Sequence, residues 1–263
     1  MCGRYASSRK PEDLIEEFEV VDPRLEKPLD PDFNVAPTKE VYAVMERTPS
    51  TLRDGSSLAS SGTKGAERAQ RQLRTLRWGL IPSWAKDPSI GSRMINARME
   101  SVAEKPSFRR AFAARRCLLP ADGYFEWYPT SQKTKAGKPA KQPFFIRPKD
   151  GGILAMAGLY EIWRDPTRGE DDPERFRWTC TVLTTQAEDA VGHIHDRMPL
   201  MVEPDRWSAW LDPATAGKDE LLSLLVPAAP GRLEAFPVST LVSNVRNNGP
   251  ELLEPIPLEE SLL

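Results

Sequence analysis

Short apolar runs dominate the hydrophobic pattern of this chain, and polar turns separate them. The runs are rich in β-branched and aromatic residues, and the turns are rich in Gly, Pro and Lys, a combination that predicts strands. Arg77–Trp84 is predicted to be a strand that enters a proline-broken loop. The other predicted strands cover residues 41–45, 116–120, 123–128, 144–147, 153–160, 177–184 and 234–239.

Helical periodicity is confined to short segments. Leu14, Ile15 and Phe18 share one face of a helix predicted over 10–18. Hairpin-length connections between the strands favour antiparallel pairing. We therefore expect an α+β fold, a single domain with a mainly antiparallel, curved or barrel-like sheet and short peripheral helices. Beyond the first helix, these helices are predicted over residues 97–104, 106–114, 186–192, 204–210 and 217–225.

Three polar segments interrupt this pattern. Residues 48–72 are rich in Ser, Gly, Thr and charge and lack an apolar period, which predicts a flexible surface insertion. We expect two polar turns, 130–142 and 164–175, to be flexible as well. Because no clean linker divides the chain, we assign residues 1–250 to one domain and residues 251–263 to an acidic C-terminal tail.

The composition excludes several classes of protein. A hydrophobic content of 40% and a charged content of 28% are typical of a soluble globular chain. No apolar run approaches the ~18 residues of a membrane helix, and the N-terminus lacks the pattern of a signal peptide. Three cysteines are an odd, sparse set that argues against a disulfide framework. We expect a protein of the cytoplasm.

Charge is unevenly distributed along the chain. The net charge of −2 gives the protein as a whole no attraction to nucleic acid or membranes. Residues 105–116 and 131–141 are nevertheless basic and contain no acidic residue. Such runs are either solvated surface or a face that binds phosphates, and charge alone does not separate the two interpretations.

Cys2 offers the most specific candidate chemistry. Aminopeptidases remove an initiator Met when the next side chain is as small as Cys, so the mature chain can begin with an α-amine and a thiol on adjacent carbons. Both groups have a nucleophilic fraction at neutral pH. The amine can form an imine with an aldehyde, and the thiol can then close a thiazolidine ring. The alternative is that Cys2 is an inert small apolar residue.

Two further residues suit proton transfer. His195 can act as a proton shuttle because histidine titrates near neutral pH, and the alternative is a hydrogen-bonded structural histidine in a turn. The His193-x-His195 pair lacks the partner spacing of a metal site, so we expect no metal. Glu126 lies among four aromatic residues on a predicted strand. Burial there should raise its pKa and make it a usable general acid or base.

Three more residues allow a functional and a structural interpretation. Asn96 is a candidate N-cap for the predicted 97–104 helix. Arg98 would oppose the dipole in the first turn of that helix, so anion binding explains it better than helix stability. Trp84 can pack in a core, as Trp usually does, or stack on a base from its proline-containing loop.

With these residues in place, the sequence resembles the SRAP family, the SOS-response-associated peptidases and abasic-site DNA–protein crosslinkers. The matching blocks lie in order along nearly the whole chain. They are Met1-Cys2-Gly3-Arg4, Phe33-Asn34-Val35-Ala36-Pro37-Thr38, Trp78-Gly79-Leu80-Ile81-Pro82-x-Trp84, Asn96-Ala97-Arg98-x-Glu100, Asp122-Gly123-Tyr124-Phe125-Glu126-Trp127, Gln142-Pro143-Phe144-Phe145-Ile146, Ile194-His195-Asp196-Arg197-Met198-Pro199, Pro237-Val238-Ser239 and Asn244-Val245-Arg246-Asn247.

The resemblance implies a specific activity. Family members crosslink to abasic sites, preferably in single-stranded DNA or at its junction with duplex, through a thiazolidine on the ring-opened deoxyribose. Carried over by motif, Cys2 is the nucleophile, Asn96 positions the amine or the sugar, Glu126 is the acid–base group and His195 is the proton shuttle and sugar contact. The resemblance implies no cofactor, and with it we expect a monomer that is associated with the nucleoid if the cell is bacterial. It implies that the DNA contacts are Arg4, Asn34, Trp84, Arg98 and Arg197.

Two other functions remain open. Cys2 with Glu126 and His195 also suits an N-terminal-nucleophile amidohydrolase or autopeptidase, which would remove Met1 itself. A non-covalent reader of single-stranded DNA, with Cys2 incidental, is the third possibility. The chain departs from the short family members in three segments, which puts the edges of the DNA cleft and any partner contacts in question. These segments are 48–72, 130–142 and 164–175.

Overall fold

Strands rather than helices carry the fold, as the short apolar runs predict. The computed structural model describes residues 2–48, 68–187 and 189–257. The strands in these ranges are β1 Tyr5–Ser7, β2 Asp32–Val35, β3 Glu40–Arg47, β4 Gln70–Trp78, β5 Asn96–Arg98, β6 Arg116–Ala121, β7 Gly123–Lys133, β8 Pro139–Pro148, β9 Leu154–Arg164, β10 Phe176–Gln186, β11 Arg197–Pro199 and β12 Leu233–Pro237. The α-helices are α1 Pro11–Glu17, α2 Arg109–Ala114, α3 Asp189–Gly192, α4 Trp207–Leu211 and α5 Lys218–Ser223.

The strands form two sheets. One has the order β12-β8-β7-β1-β2 and is antiparallel throughout. The other has the order β11-β10-β4-β3-β6-β9, and β9 also pairs with β10, so this sheet closes into a barrel. The predicted α+β class, barrel-like sheet and short peripheral helices are confirmed. The exceptions to antiparallel pairing are β4 and β5, which both run parallel to β10.

Among the described residues, three large apolar clusters hold these layers together, and a fourth, smaller cluster surrounds Trp163. The first draws side chains from both sheets and includes Cys2, Tyr5 and Trp78, all essentially inaccessible to solvent. The second packs the helices on the barrel, for example through Phe18 and Trp207, whose rings lie 4.5 Å apart. The third covers the other face of the five-stranded sheet with the C-terminal segment, in which Leu252 is fully buried.

Several sequence-based assignments need correction. The helix predicted over 97–104 is wrong: residues 96–98 form β5, and only Met99–Ser101 makes a 3-10 turn. Pairing with β10 supplies the backbone hydrogen bonds that a helix would have made internally. The turn predicted over 130–142 is largely strand, because β7 and β8 continue their ladder and leave only 134–138 as the turn. Residues 70–72 of the predicted 48–72 insertion belong to β4, and residues 49–67 lie outside the described residues.

The remaining predicted elements agree with the structure to within a few residues, except that β4 begins at Gln70 rather than at Arg77. β1, β2 and β11 correspond to no predicted element. The 106–114 helix begins at Arg109, so Pro106 precedes it rather than opening it. Residues 165–175 form a connection that ends in one 3-10 turn, Pro173–Arg175. None of the helices in the described part of the chain is long and apolar enough to span a bilayer.

Candidate active site

Cys2 precedes β1, where the chain enters the antiparallel sheet beside β7. The Phe125 amide donates to the Arg4 carbonyl at 2.9 Å, which aligns the first residues of the chain with the strand that carries Glu126. The Cys2 side chain is fully buried, and its Sγ lies 3.9 Å from the Arg4 carbonyl oxygen. Burial, and secondly the negative charge of Glu126, raise the pKa of the thiol far above its ordinary value. The sulfur is therefore protonated at neutral pH.

Asn96 begins β5, so the candidate role as a helix N-cap is wrong. Its backbone pairs with Val182 on β10, which fixes the side chain at the junction of the barrel and Cys2. Asn96 Nδ2 donates a 2.6 Å hydrogen bond to the Cys2 carbonyl oxygen. Asn96 Oδ1 is buried and accepts no hydrogen bond from the residues that the structure describes. This oxygen is therefore an acceptor available to a bound group beside Cys2.

Glu126 lies on β7, opposite Phe144 of β8, and is only 4% exposed. Burial raises the pKa of its carboxyl from 4.5 to about 7. The predicted burial and the direction of the pKa shift are confirmed. Because the carboxyl exchanges its proton near neutral pH, it can serve as an acid in one step and as a base in the next.

His195 lies in the turn between α3 and β11. The Arg197 amide donates to His195 Nδ1 at 3.0 Å, so the neutral ring carries its proton on Nε2. Asp196 Oδ1 lies 2.9 Å from the same Nδ1, but it can accept a hydrogen bond there only when Nδ1 carries a proton and so no longer accepts from the Arg197 amide. Burial outweighs this attraction and lowers the pKa of His195, so the neutral ring with an Nε2–H donor is the form present at neutral pH.

Lys141 adds a positive charge that the site prediction had missed. It lies on β8 opposite Pro129 of β7. Burial is the main influence on the pKa values of Glu126 and His195, and the charge of Lys141 lowers both. The basic run 131–141 contained this residue, but only the strand pairing brings its charge to the site.

Arg4 and Asn34 form one anchored unit rather than an open surface. Asn34 is fully buried, and its Oδ1 accepts from Arg4 Nη1 at 2.7 Å. Arg4 Nη1 also donates to the Val242 carbonyl oxygen at 2.8 Å. Asn34 Nδ2 lies 2.8 to 3.2 Å from three carbonyl oxygens of the C-terminal segment, those of Val242, Asn244 and Asn247. These bonds hold the segment that follows β12 against the strand next to Cys2.

The two other predicted arginines differ in their freedom to bind phosphate. Arg98 is exposed on β5, two residues from Asn96. Arg197 is largely buried and forms a bidentate ion pair with Glu100, with distances of 2.6 and 3.1 Å. It also donates to the Thr184 carbonyl oxygen at 2.6 Å. Arg197 therefore has to exchange a protein partner for any phosphate that it binds.

Trp84 presents a large aromatic surface on a well-supported loop. Its side chain is 52% exposed. The loop is fastened behind it, because Trp163 Nε1 donates to the Ala85 carbonyl oxygen at 2.7 Å. At the start of the loop, Gly79 has φ +128°, and a Cβ there would lie 2.6 Å from the Gly91 carbonyl oxygen. Glycine is thus required where these two backbones meet.

Asn96 bonds to Cys2, and the charge of Glu126 acts on the Cys2 thiol. Lys141 and Asp196 act on both Glu126 and His195, so His195 belongs to the same region. Arg98 is exposed on the strand that carries Asn96. His193 is exposed. Among the described residues, no group of three His, Cys, Asp or Glu side chains is placed to hold a metal ion.

Comparison with known proteins identifies the family. The family model described as "SOS response associated peptidase (SRAP)" matches residues 1–245. The chain is 39% identical over 254 residues to the abasic site processing protein YoqW of Bacillus subtilis, covering 97% of this chain and 99% of that protein. It is 31% identical over 263 residues to the abasic site processing protein YedK of Escherichia coli, covering 97% and 100%. A crystal structure of a Bacteroides thetaiotaomicron protein has the same fold, with a TM-score of 0.73, 24% identity and coverage of 97% and 100%. The chain therefore belongs to the SRAP family.

Proposed function

We propose that this chain recognises abasic sites in single-stranded DNA, or at its junction with duplex, and captures them covalently through Cys2 once Met1 has been removed. The observation that carries the proposal is the position of Cys2. Asn96 Nδ2 donates to the Cys2 carbonyl oxygen at 2.6 Å, and the charge of Glu126 acts on the Cys2 thiol. The names of the relatives, abasic site processing proteins, support a DNA lesion as the substrate.

The proposed reaction joins one aldehyde to one aminothiol and releases one water. The α-amine of Cys2 adds to C1′ of the ring-opened deoxyribose, and loss of water from the carbinolamine gives an imine. Sγ then forms a bond to C1′, the C=N π electrons move to nitrogen, and the thiol proton follows them. Because burial keeps the thiol protonated, the order of steps is amine first and sulfur second.

Glu126 and His195 divide the proton transfers of this scheme. An abasic sugar is mostly a closed hemiacetal, so an acid has to protonate the ring oxygen and a base has to deprotonate the hydroxyl at C1′. Glu126, with a pKa of about 7, holds a proton in part of the molecules and accepts one in the rest. His195 supplies a neutral Nε2–H donor. The buried Oδ1 of Asn96 is suited to accept a hydrogen bond from the amine or from a sugar hydroxyl.

DNA binding in this proposal relies on exposed groups beside the reacting atoms. Arg98 is free to meet a phosphate, and Trp84 offers a face for stacking on a base next to the lesion. Arg4 and Asn34 contribute by holding the C-terminal segment in place rather than by direct contact.

A denaturing gel tests the proposal directly. Wild-type protein incubated with a single strand that carries one abasic site should give a heat-stable shifted band, and Cys2→Ala should give none. Cys180→Ala is the matched control, because Cys180 is equally buried in the same apolar cluster but lies on β10; it should crosslink like wild type. Equal crosslinking by Cys2→Ala and wild type would exclude the thiazolidine.

A second function is favoured by one observation, the raised pKa of Glu126 beside a buried cysteine. A carboxyl that accepts protons near neutral pH can assist attack of Cys2 on an amide, so we also consider self-removal of Met1. Intact mass after expression without aminopeptidase separates the two functions. Retention of Met1 in Glu126→Gln and its loss in wild type would support the peptidase, whereas identical masses would count against it.

A further inference from the structure

A two-stranded ribbon leads away from the candidate active site. β7 and β8 continue beyond their neighbours in the sheet, and the chain reverses through residues 134–138. Residues 131–139 are all exposed. We refer to residues 129–141 as the ribbon.

The ribbon is an ordered hairpin with its own hydrogen bonds. The Thr134 amide donates to the Lys138 carbonyl oxygen at 2.7 Å, and the Gly137 amide donates to the Thr134 carbonyl oxygen at 2.8 Å. Gly137 has φ +75°, which glycine adopts without strain. Thr130 Oγ1 bonds the Ala140 carbonyl oxygen at 3.2 Å, nearer the sheet. The hairpin therefore presents its side chains from a fixed backbone.

All the charge on the ribbon has one sign. The sequence has no Asp or Glu from 127 to 149, so the four lysines of the ribbon have no acidic neighbour along the chain. Among the residues that the structure describes, none forms an ion pair with them. Like charges on adjacent strands repel each other, so folding gains nothing from this arrangement. The lysines are Lys133, Lys135, Lys138 and Lys141.

The ribbon is continuous with the proposed DNA site. Glu126 and Lys133 lie on the same strand seven residues apart, a span of about 23 Å at ~3.3 Å per residue. At the inner end of the ribbon, the charge of Lys141 acts on both Glu126 and His195. The pKa shifts of these two groups are caused mainly by burial, and Lys141 lowers both pKa values. A line of positive charge therefore begins at the site and runs outward from it.

The composition of the ribbon indicates phosphate rather than base recognition. No aromatic residue lies between 129 and 143, so the ribbon offers no surface on which single-stranded bases can stack. A two-stranded ribbon does fit the major groove of B-DNA, about 12 Å wide, where its lysines reach the phosphates on either side. We propose that the ribbon binds the phosphates of the duplex that flanks the lesion at a junction of single-stranded and duplex DNA. This inference rests on the proposed function for the location of the lesion.

The salt dependence of binding to undamaged DNA tests the ribbon without any crosslinking. The variant replaces Lys133, Lys135 and Lys138 by Gln and keeps Lys141, which acts on the site. Each lost phosphate contact on duplex reduces the magnitude of the negative slope of log K against log salt by about 0.9, so for a junction substrate this magnitude should fall by about 2 to 3. For a single strand of equal length, it should not change. A control variant carries Gln at three exposed lysines elsewhere, Lys10, Lys27 and Lys149, and should behave like wild type on both substrates.

The outcomes separate the two proposals. An unchanged slope on the junction would overturn the ribbon's role. An equal decrease in steepness on both substrates would overturn it as well, because the lysines would then contact the single strand rather than the duplex. Crosslinking of a single-stranded abasic site at saturating protein should equal wild type in the triple variant. If wild type itself fails to crosslink while the slopes still differ, the proposed chemistry is wrong and the ribbon's role stands. Lys135→Glu, a single exposed change, should reduce the magnitude of the slope by about 1 to 2 and checks the triple variant independently.

Discussion

Glu126 should make this protein less stable as the pH rises, and the structure sets the size of the effect. Burial raises its pKa from 4.5 to about 7. The folded state then binds more protons than the unfolded state between these values, so stability falls as pH rises through that window. At 1.36 kcal/mol per pKa unit, the full penalty of the ionised form is about 3 kcal/mol, of which about 2.5 kcal/mol develops between about pH 5 and about pH 8.

The variant Glu126→Gln removes this ionisation and keeps the shape of the side chain. We expect the difference in the free energy of unfolding, variant minus wild type, to increase by about 2 to 3 kcal/mol between about pH 5 and about pH 8. Urea unfolding at both pH values measures the difference. Glu254→Gln, at an exposed position of the C-terminal segment, should show no such change. A stability difference between Glu126→Gln and wild type that does not vary with pH would refute the reasoning.

Four other predictions follow from single contacts. Asn34→Ala should cost about 3 kcal/mol in the free energy of unfolding, because it removes a buried amide that bonds several carbonyl oxygens; urea unfolding checks this, and unchanged stability with weakened DNA binding would instead make Asn34 a DNA contact. Trp84→Ala should weaken binding of single-stranded DNA by about 1 to 3 kcal/mol and leave the melting temperature unchanged, because the side chain is half-exposed. Glu100→Gln should release Arg197 and so strengthen DNA binding in a filter assay if that arginine contacts phosphate; weaker binding would make the ion pair itself the functional unit. His195→Asn can keep an acceptor for the Arg197 amide but loses the Nε2–H donor, so the protein should fold normally and crosslink about 10²-fold more slowly in single-turnover experiments.

The sequence predicts the long elements of this fold well because their apolar residues alternate over enough positions to show a period. β1, β2, β5 and β11 escape such analysis, since each has only three or four residues. Residues 97 and 98 of β5 are predicted to be helical, because Asn96 resembles an N-cap and nothing local indicates that this segment pairs with β10. Only the tertiary pairing with β10 decides its structure.

The sequence indicates part of the chemistry of the site, but not the hydrogen bonds and ion pairs that connect its residues. The burial of Glu126 follows from its aromatic neighbours, whereas the proline-containing loop of Trp84 is compatible with either core packing or exposure. The ion pair between Glu100 and Arg197 joins residues 97 positions apart, and the bonds of Asn34 reach 208 to 213 positions along the chain. Such contacts depend on how the strands are ordered in the sheets, which no local pattern encodes.

The protonation states at the site are mutually consistent with an amine-first reaction. Burial keeps the Cys2 thiol protonated and lowers the pKa of His195, which favours its neutral form, whereas burial raises the pKa of Glu126 to about 7. Environments that push the pKa values of neighbouring groups apart are how a site assigns acid and base roles. Here the Glu126 carboxyl readily changes its charge near neutral pH, so it can take up the proton of the attacking amine and, once ionised, stabilise the iminium cation that follows. The same ionised carboxylate destabilises the fold. A cationic intermediate offsets its charge, so the carboxylate would bind the iminium more tightly than the neutral closed sugar.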